Sequence, residues 1–303
     1  MARPARQAQL PTRDGVSASC VALPAGAWPT VLDFLSDRMG TVTRAQWTER
    51  MRQGLVLASQ GHALPPEQAF LPGQRIYYYR HLDNEPQLPV HARIVFEDEQ
   101  LLVADKPHFM PVTPSGRYVQ QSLLVQLKRL TGCTDLTPVH RIDRETAGLV
   151  LLSKRPQDRD AYQALFRNRQ VHKHYLAVAP WRAHLVQPRM HTSRLAEDSA
   201  FFRMREVPGE PNSETHLQML RTEGERALYQ LEPVTGKRHQ LRVHMLALGA
   251  PIEGDQFYPQ VLRGPDEAED FSSPLQLLAE RIAFTDPVTG QERSLSSALT
   301  LNL

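Results

Sequence analysis

Residues 137–154 of this 303-residue chain read T-P-V-H-R-I-D-R-E-T-A-G-L-V-L-L-S-K, which sets one carboxylate, Asp143, between Arg141 and Arg144 at the entrance to an apolar run. An acid held at the mouth of a buried strand is placed well enough to act as a nucleophile or as the electrostatic partner of a developing cation. The same residues would equally serve as a surface ion-pair cluster capping the strand. Glu145 is the only carboxylate near enough to act as a second acid, and nothing in its spacing marks it for that work. The Asp lies one place later than in the H-R-D loop of protein kinases, and neither D-F-G nor V-A-I-K accompanies it.

Two other segments hold reactive or binding groups. In E-P-V-T-G-K-R-H-Q-L-R-V-H (232–244), Gly236-Lys237 invites a phosphate-loop reading, but Leu231 stands where the first glycine is needed and Arg238 where Ser or Thr is needed. The spacing predicts instead a helix with Arg238 and Arg242 four apart on one face and His239 beside them. Such a face can position a phosphate, hold a buried carboxylate charged, or simply meet solvent. The stretch F-R-N-R-Q-V-H-K-H-Y-L-A-V (166–178) gathers Arg167, Arg169, His172, Lys173 and His174 ahead of Tyr175. Basic residues around an aromatic ring suit unstacked RNA bases, although a core tyrosine in an ordinary strand looks the same. No H-E-x-x-H, C-x-x-C or G-x-G-x-x-G occurs, so metal hydrolysis and dinucleotide chemistry find no support.

The elements that must position these groups are legible from periodicity. Residues 28–80 read as a small module, with helices around Val31, Leu32 and Leu35 and around Trp47 and Met51, a strand after Gly54, and a closing strand Arg75–Tyr79. Residues 81–91, polar and with two prolines, read as a linker. From 92 to 303 a hairpin (R-I-V-F, then Q-L-L-V-A-D) precedes helices at Ser122–Leu130, from just after Pro156 to Arg167, and at Gln240–Leu248. Strands interspersed with helices and no βα repeat predict an α+β fold with a mixed sheet. Residues 1–27 contain no apolar signal-like core and read as a disordered tail.

Composition narrows the partners. Hydrophobic residues make up 41% of the chain, enough for a real core. Of 35 basic residues only five are lysines, an arginine bias that suits bidentate phosphate binding and equally fits a GC-rich coding sequence. The formal charge is only +2, yet residues 140–205 hold 13 Lys/Arg against 6 Asp/Glu, which points to a polyanion or to a solvated charged face. Two cysteines, Cys20 and Cys133, build neither a disulfide framework nor a zinc site and suit a reducing cytoplasm. No apolar stretch approaches the roughly 20 residues of a membrane helix, so no membrane partner is expected.

Together the three segments resemble the RluA-type family of RNA pseudouridine synthases. The match runs through H-R-I-D-R-E-T-A-G-L-V-L-L-S-K (140–154), the K-x-Y-x-A strand at Lys173–Ala177 and T-G-K-R-H-Q-L-R-V-H with its continuation through P-I-E-G-D to Asp255. Asp105-Lys106-Pro107 through Pro111 and the stretch Leu275–Pro287 add to it, so that residues 92–292 are covered. The resemblance implies isomerisation of uridine in RNA to pseudouridine without a cofactor, by a pseudouridine-synthase catalytic domain with a mixed, largely antiparallel sheet. It implies that Asp143 is the catalytic carboxylate, that Arg242 pairs with it, and that Tyr175 stacks on the uracil and moves a proton. It further implies that Arg141 enters the space a flipped base vacates, and that Arg144, Lys173, Lys237, Arg238 and His239 contact the RNA. Departures from the family pattern are Ala147 where Ser is usual, Pro259 where Gly is frequent, and an acidic insertion at 260–274.

The 28–80 module is similar, loosely, to the small RNA-binding module first seen in ribosomal protein S-four. The expected partner is therefore RNA, ribosomal or transfer, acted on by a monomer that needs no nucleotide cofactor. The competing readings are a catalytically silent RNA-binding protein or chaperone, and a glycoside hydrolase acting on nucleosides.

Overall fold

Thr30 and Thr43 each open a helix by reciprocal capping. The Thr30 hydroxyl accepts from the Asp33 amide while the Asp33 carboxylate accepts from the Thr30 amide, and Thr43 with Gln46 repeats the arrangement. The helices that follow, α1 (Val31–Arg38) and α2 (Arg44–Arg52), bury Leu35, Trp47 and Met51 against a three-stranded sheet of β1 (Ser19–Ala22), β2 (Val56–Ala58) and β3 (Arg75–Tyr78) in the order β1-β3-β2. The computed structural model describes residues 10–40, 42–80, 85–199, 202–262, 264, 267 and 269–303, which fall into two compact units, Met1–Glu85 and Pro86–Leu303.

Two expected boundaries are corrected. Within the segment read as a disordered tail, β1 pairs antiparallel with β3, Ser19 opposite Tyr78, while Val16 and Leu23 are buried. The partner strand lies more than 50 residues downstream, so local composition carried no sign of it. Residues 1–9 of that tail lie outside the described residues. In the segment read as a linker, Leu88 is buried in the core of the second unit with Ala104, Met110 and Leu127, and Val90 packs there too. Two prolines marked an irregular path, and an irregular path can still bury apolar side chains. Residues 81–84 of the linker lie outside the described residues.

The second unit is built on one large sheet. In chain order its elements are β4 (Arg93–Glu97), β5 (Leu101–Lys106), α3 (Leu123–Thr131), β6 (Thr137–Pro138), β7 (Ala147–Ser153), α4 (Arg159–Arg167), β8 (His172–Pro180), β9 (Arg189–Glu197), β10 (Met204–Val207), β11 (Ser213–Glu223), β12 (Arg226–Pro233), α5 (Gln240–Ala247), β13 (Leu277–Thr285) and β14 (Glu292–Ser296). The strands run β10-β9-β11-β12-β8-β13-β7-β5-β4, with β14 on β13 and β6 on β7. Every pairing is antiparallel except β13 with β7, which makes the sheet mixed and largely antiparallel, as expected. β7 is buried along its whole length, which is why it reads as an unbroken apolar run instead of an alternating one.

β13 joins the segments that carry Gly148 and Tyr175. Ala279 pairs with Gly148 of β7 on one side and with Tyr175 of β8 on the other, bringing two segments distant in sequence to either side of one residue. Gly148 has φ +111, and a Cβ there would meet the Ala279 carbonyl oxygen at 2.3 Å, so no other residue fits this crossing.

Candidate active site

The turn that precedes β7 is held from below. The Thr146 amide donates to the Asp143 carbonyl at 3.2 Å, the Lys106 ammonium donates to the Arg144 carbonyl at 3.0 Å, and the His108 ring meets the Glu145 carbonyl at 2.7 Å. Lys106 is wholly buried, and burial pushes its ammonium down to about 7 against the opposing pull of Glu145 and Asp143. Its second donor bond, to the Pro107 carbonyl, leaves it fixed in place. Asp143 thus projects from a backbone anchored at three successive residues.

Arg242 lies behind Asp143. Its Nη1 approaches Asp143 Oδ2 at 3.4 Å, as the resemblance implies, but its strongest partner is Asp255. Arg242 Nε donates to Asp255 Oδ2 at 2.8 Å and Nη2 to Oδ1 at 2.6 Å, a bidentate pair in which both side chains are nearly inaccessible (0% and 1%). Glu145 adds a third carboxylate at 3.7 Å. Burial disfavours the charge on Arg242, yet Asp255, Asp143 and Glu145 outweigh it and push the guanidinium above its ordinary range. Burial would likewise neutralise Glu145, but Arg144 and Arg242 hold its carboxyl below the usual value, so it is ionised and unsuited to protonate a leaving group.

Asp255 is the functional residue that sequence reasoning passed over. It closes the matched G-D sequence, where Gly254 has φ +73 and a Cβ would meet the Pro274 carbonyl oxygen at 2.2 Å. That glycine turns the chain so that the next side chain points back at α5, and Asp255 also accepts from the Phe257 and Tyr258 amides. The signal was the G-D pair itself, but only the tertiary contact gives it a role.

The expected basic helix face is corrected. His239 has φ +53, a left-handed residue that starts α5 only at Gln240, so Arg238 and Arg242 do not share a helix face. Arg242 turns inward to Asp255, whereas Arg238 is exposed and meets the Arg203 carbonyl at 3.2 Å and Glu197 at 3.7 Å. Gln240, buried, ties the preceding loop together: its Oε1 accepts from the Thr235 hydroxyl and the Lys237 amide, and its amide donates to the Glu214 carbonyl.

These groups open onto one cleft of roughly 800 Å³. Eight Lys/Arg residues line it (Arg141, Arg144, Arg167, Arg169, Lys173, Lys237, Arg238, Arg242), and Asp143 is the one carboxylate among the lining residues. Tyr175 lines it from β8; burial and the nearby Asp143 raise its phenol, which stays protonated at neutral pH. His239 stands 4.0 Å from Asp143 and hydrogen-bonds the Tyr258 hydroxyl at 2.9 Å, with burial as the main cause that keeps its imidazole neutral. Lys173, which burial brings down to about 8, donates to the Thr235 carbonyl at 3.2 Å and so braces the Thr235–Lys237 loop. His140, held down to about 3 by burial, accepts from the Leu151 amide and stacks on Phe166, a structural part of the wall. Arg141 and Lys237 are exposed at the rim.

Arg144 is differently engaged. Its Nε donates to Glu145 at 2.9 Å and its two terminal nitrogens to Glu269 at 2.7 and 3.3 Å. Elsewhere, His191, Glu206 and His244 bring ligand-type atoms within 4.8 Å of one another, but His244 already meets the Thr215 hydroxyl through Nδ1 and the Ser213 hydroxyl through Nε2, and His191 meets Glu206. Among the described residues no helix is long and apolar enough to cross a membrane.

This chain, with its cationic cleft around one half-buried carboxylate, is similar in sequence and in fold to known enzymes. The family profile described as RNA pseudouridylate synthase matches residues 100–247. The dual-specificity RNA pseudouridine synthase RluA of Vibrio cholerae is 33% identical over 214 residues, which span 70% of this chain and 84% of that protein. An uncharacterized RNA pseudouridine synthase of Synechocystis is 29% identical over 235 residues, 75% of this chain and 79% of its own length. The solved structure of human RNA pseudouridylate synthase domain containing 4 is similar with a TM-score of 0.54 and 28% identity, over 68% of this chain and 88% of that one. The chain belongs to the RNA pseudouridine synthase family, whose members are isomerases acting on RNA.

Proposed function

We propose that Asp143 is the carboxylate that carries the isomerisation, acting on uridines in structured ribosomal or transfer RNA. The observation that supports it is the cleft itself: one half-buried carboxylate stands among eight cationic side chains, where an RNA backbone would bring a flipped uridine. In this reading the bond from uracil N1 to the ribose breaks, Asp143 offsets or captures the cationic sugar carbon, and the ring turns. Carbon 5 then bonds to the same ribose carbon and releases its proton. Arg242, clamped by Asp255, orients Asp143 from the buried side. Tyr175 offers its ring to the uracil; its protonated phenol supports stacking and hydrogen-bond donation more directly than proton abstraction. Arg141 is free to enter the gap the base leaves, while Lys237, Arg238 and His239 meet the backbone. Glu145, ionised and turned toward arginines, supports an isomerase over a glycosidase because no carboxylic acid remains to protonate a departing base.

The protein acts as a cytoplasmic monomer without a metal or nucleotide cofactor in this reading, and the first unit adds RNA affinity. The relatives' names, a tRNA pseudouridine(32) synthase of yeast mitochondria and dual-specificity RNA pseudouridine synthases, motivate testing more than one kind of RNA. The measurement is tritium release from carbon-5-labelled uridine in ribosomal and transfer RNA transcripts, with chelator present. Wild type should turn over one of them without releasing free uracil. Asp143→Asn should fall below a few per cent of that rate while binding RNA within a few-fold, because the amide keeps the shape and loses the charge. RNA binding without turnover of any transcript would favour the silent-binder reading.

A further inference from the structure

Glu269, from the acidic insertion at 260–274, meets the arginine that follows Asp143 in the chain. Glu269, only 6% exposed, receives Arg144 Nη1 at 2.7 Å and Arg117 Nη2 at 3.1 Å on one oxygen, and Arg144 Nη2 at 3.3 Å on the other. Tyr118 carries both guanidinium groups on its ring face, 5.7 and 5.8 Å from its centroid. Phe271 packs edge-on to Phe109 at 5.1 Å, which pins this part of the insertion to the segment after β5. Arg144 is the residue next to Asp143 and lines the cleft. With Glu145 on its Nε and Glu269 on both terminal nitrogens, three of its five N–H donors are already engaged by carboxylates and its charge is answered on both sides.

We propose that Glu269 is a specificity-determining residue: it occupies, as a carboxylate, the place on Arg144 and Arg117 that an RNA phosphate would take. The proposal rests on the synthase reading of the cleft. The two arginines remain part-exposed (26% and 37%), unlike Arg242, so a phosphate can reach them. An RNA whose backbone runs over this rim exchanges one anion for another and gains both arginines; an RNA that merely lies in the cationic cleft finds them neutralised. Unspecific attraction, which grows with each available cation, is thereby reduced next to the reacting carboxylate.

The test is RNA binding by Glu269→Gln, measured as salt-dependent dissociation constants on the RNA that wild type modifies and on an unrelated stem-loop of equal length. Freeing two cations should tighten binding of the unrelated RNA about 5- to 20-fold near 0.1 M salt and steepen its salt slope by about one to two. The modified RNA should gain several-fold less, so the ratio between the two falls. Arg117→Gln should leave unrelated-RNA binding unaltered in the wild-type background and reverse about half of the gain in the Glu269→Gln background. Unchanged slopes, equal gains on both RNAs, or weaker binding together with a lower melting temperature would each overturn the proposal, the last by making Glu269 a structural anchor. An inactive wild type on every RNA would instead strike the synthase reading, and the Glu269→Gln salt slope on the unrelated stem-loop, which needs no turnover, would still show whether the two arginines had been freed.

Discussion

Two arginines flank Asp143, and each is answered by carboxylates, but in different surroundings. At the cleft floor Arg242 and Asp255 form a bidentate pair with 0% and 1% exposure, sealed beneath α5 and the loop that follows it. At the rim Arg144 and Glu269 make a similar fork with the arginine 26% exposed and a second arginine sharing the acid. In the floor's low-dielectric surroundings neither partner can be removed without leaving a bare charge, so the pair is a fixed support for Asp143. At the rim Arg144 is reached by water and salt while Glu269 is largely covered, so the pair is screened more than the floor pair, and in the proposed exchange a phosphate takes the place of the acid. The same residue types thus serve as scaffold in one place and as an exchangeable contact in the other.

The largest expected effect tests the floor. Arg242→Met strands Asp255 and Glu145 without their shared cation, and stability should fall by about 3–5 kcal/mol, with the saturating rate down more than about 100-fold. Urea denaturation and single-turnover tritium release measure these; a variant with wild-type values in both would mean the floor is no scaffold. Asp255→Ala should cost somewhat less, about 3 kcal/mol, because Asp143 and Glu145 still face the guanidinium. Its rate should drop while its RNA salt slope stays put, since no phosphate contact is lost.

A pH titration sharpens the contrast. His244, on the floor helix, is held down to about 4 by burial first and by His191 second. Below its ordinary value of 6.5 the unfolded chain takes up a proton that the folded one refuses, so this contribution to stability is present above 6.5 and is lost as pH falls toward 4. The urea midpoint should decline across that window, and His244→Gln should flatten the decline; an equally steep profile in the variant would assign it to other groups. The smallest effect belongs to the rim. Lys237→Gln should weaken RNA binding about 3- to 5-fold and lower the salt slope by about 0.7–0.9, with no change in melting temperature. A melting shift there would blur the division between floor and rim.

Much of this was open to reading from the chain itself. The helices around Leu35, Trp47, Leu127 and Leu165 are declared by apolar spacing and caps within a dozen residues, and the β4–β5 hairpin by two short apolar runs. The reaction class was legible only through the resemblance of the three motifs, taken in order, to the synthase family; the residue types at Asp143, Tyr175 and Arg242 alone left a capped strand, a core tyrosine and a solvated basic face equally open. What only the tertiary structure decided is which charge answers which. Arg242 could as well have met Asp143 alone, and Arg144 a phosphate; nothing local in the sequence names Asp255 or Glu269 as their partners. The same holds for β1, read as tail until β3 supplies its ladder, and for β13, whose Ala279 joins Gly148 to Tyr175. Periodicity and capping are written in neighbouring residues, whereas an ion pair or a strand pairing is set by distance in space. Burial then fixes its strength, and burial is a property of the folded sheet and not of any segment of it.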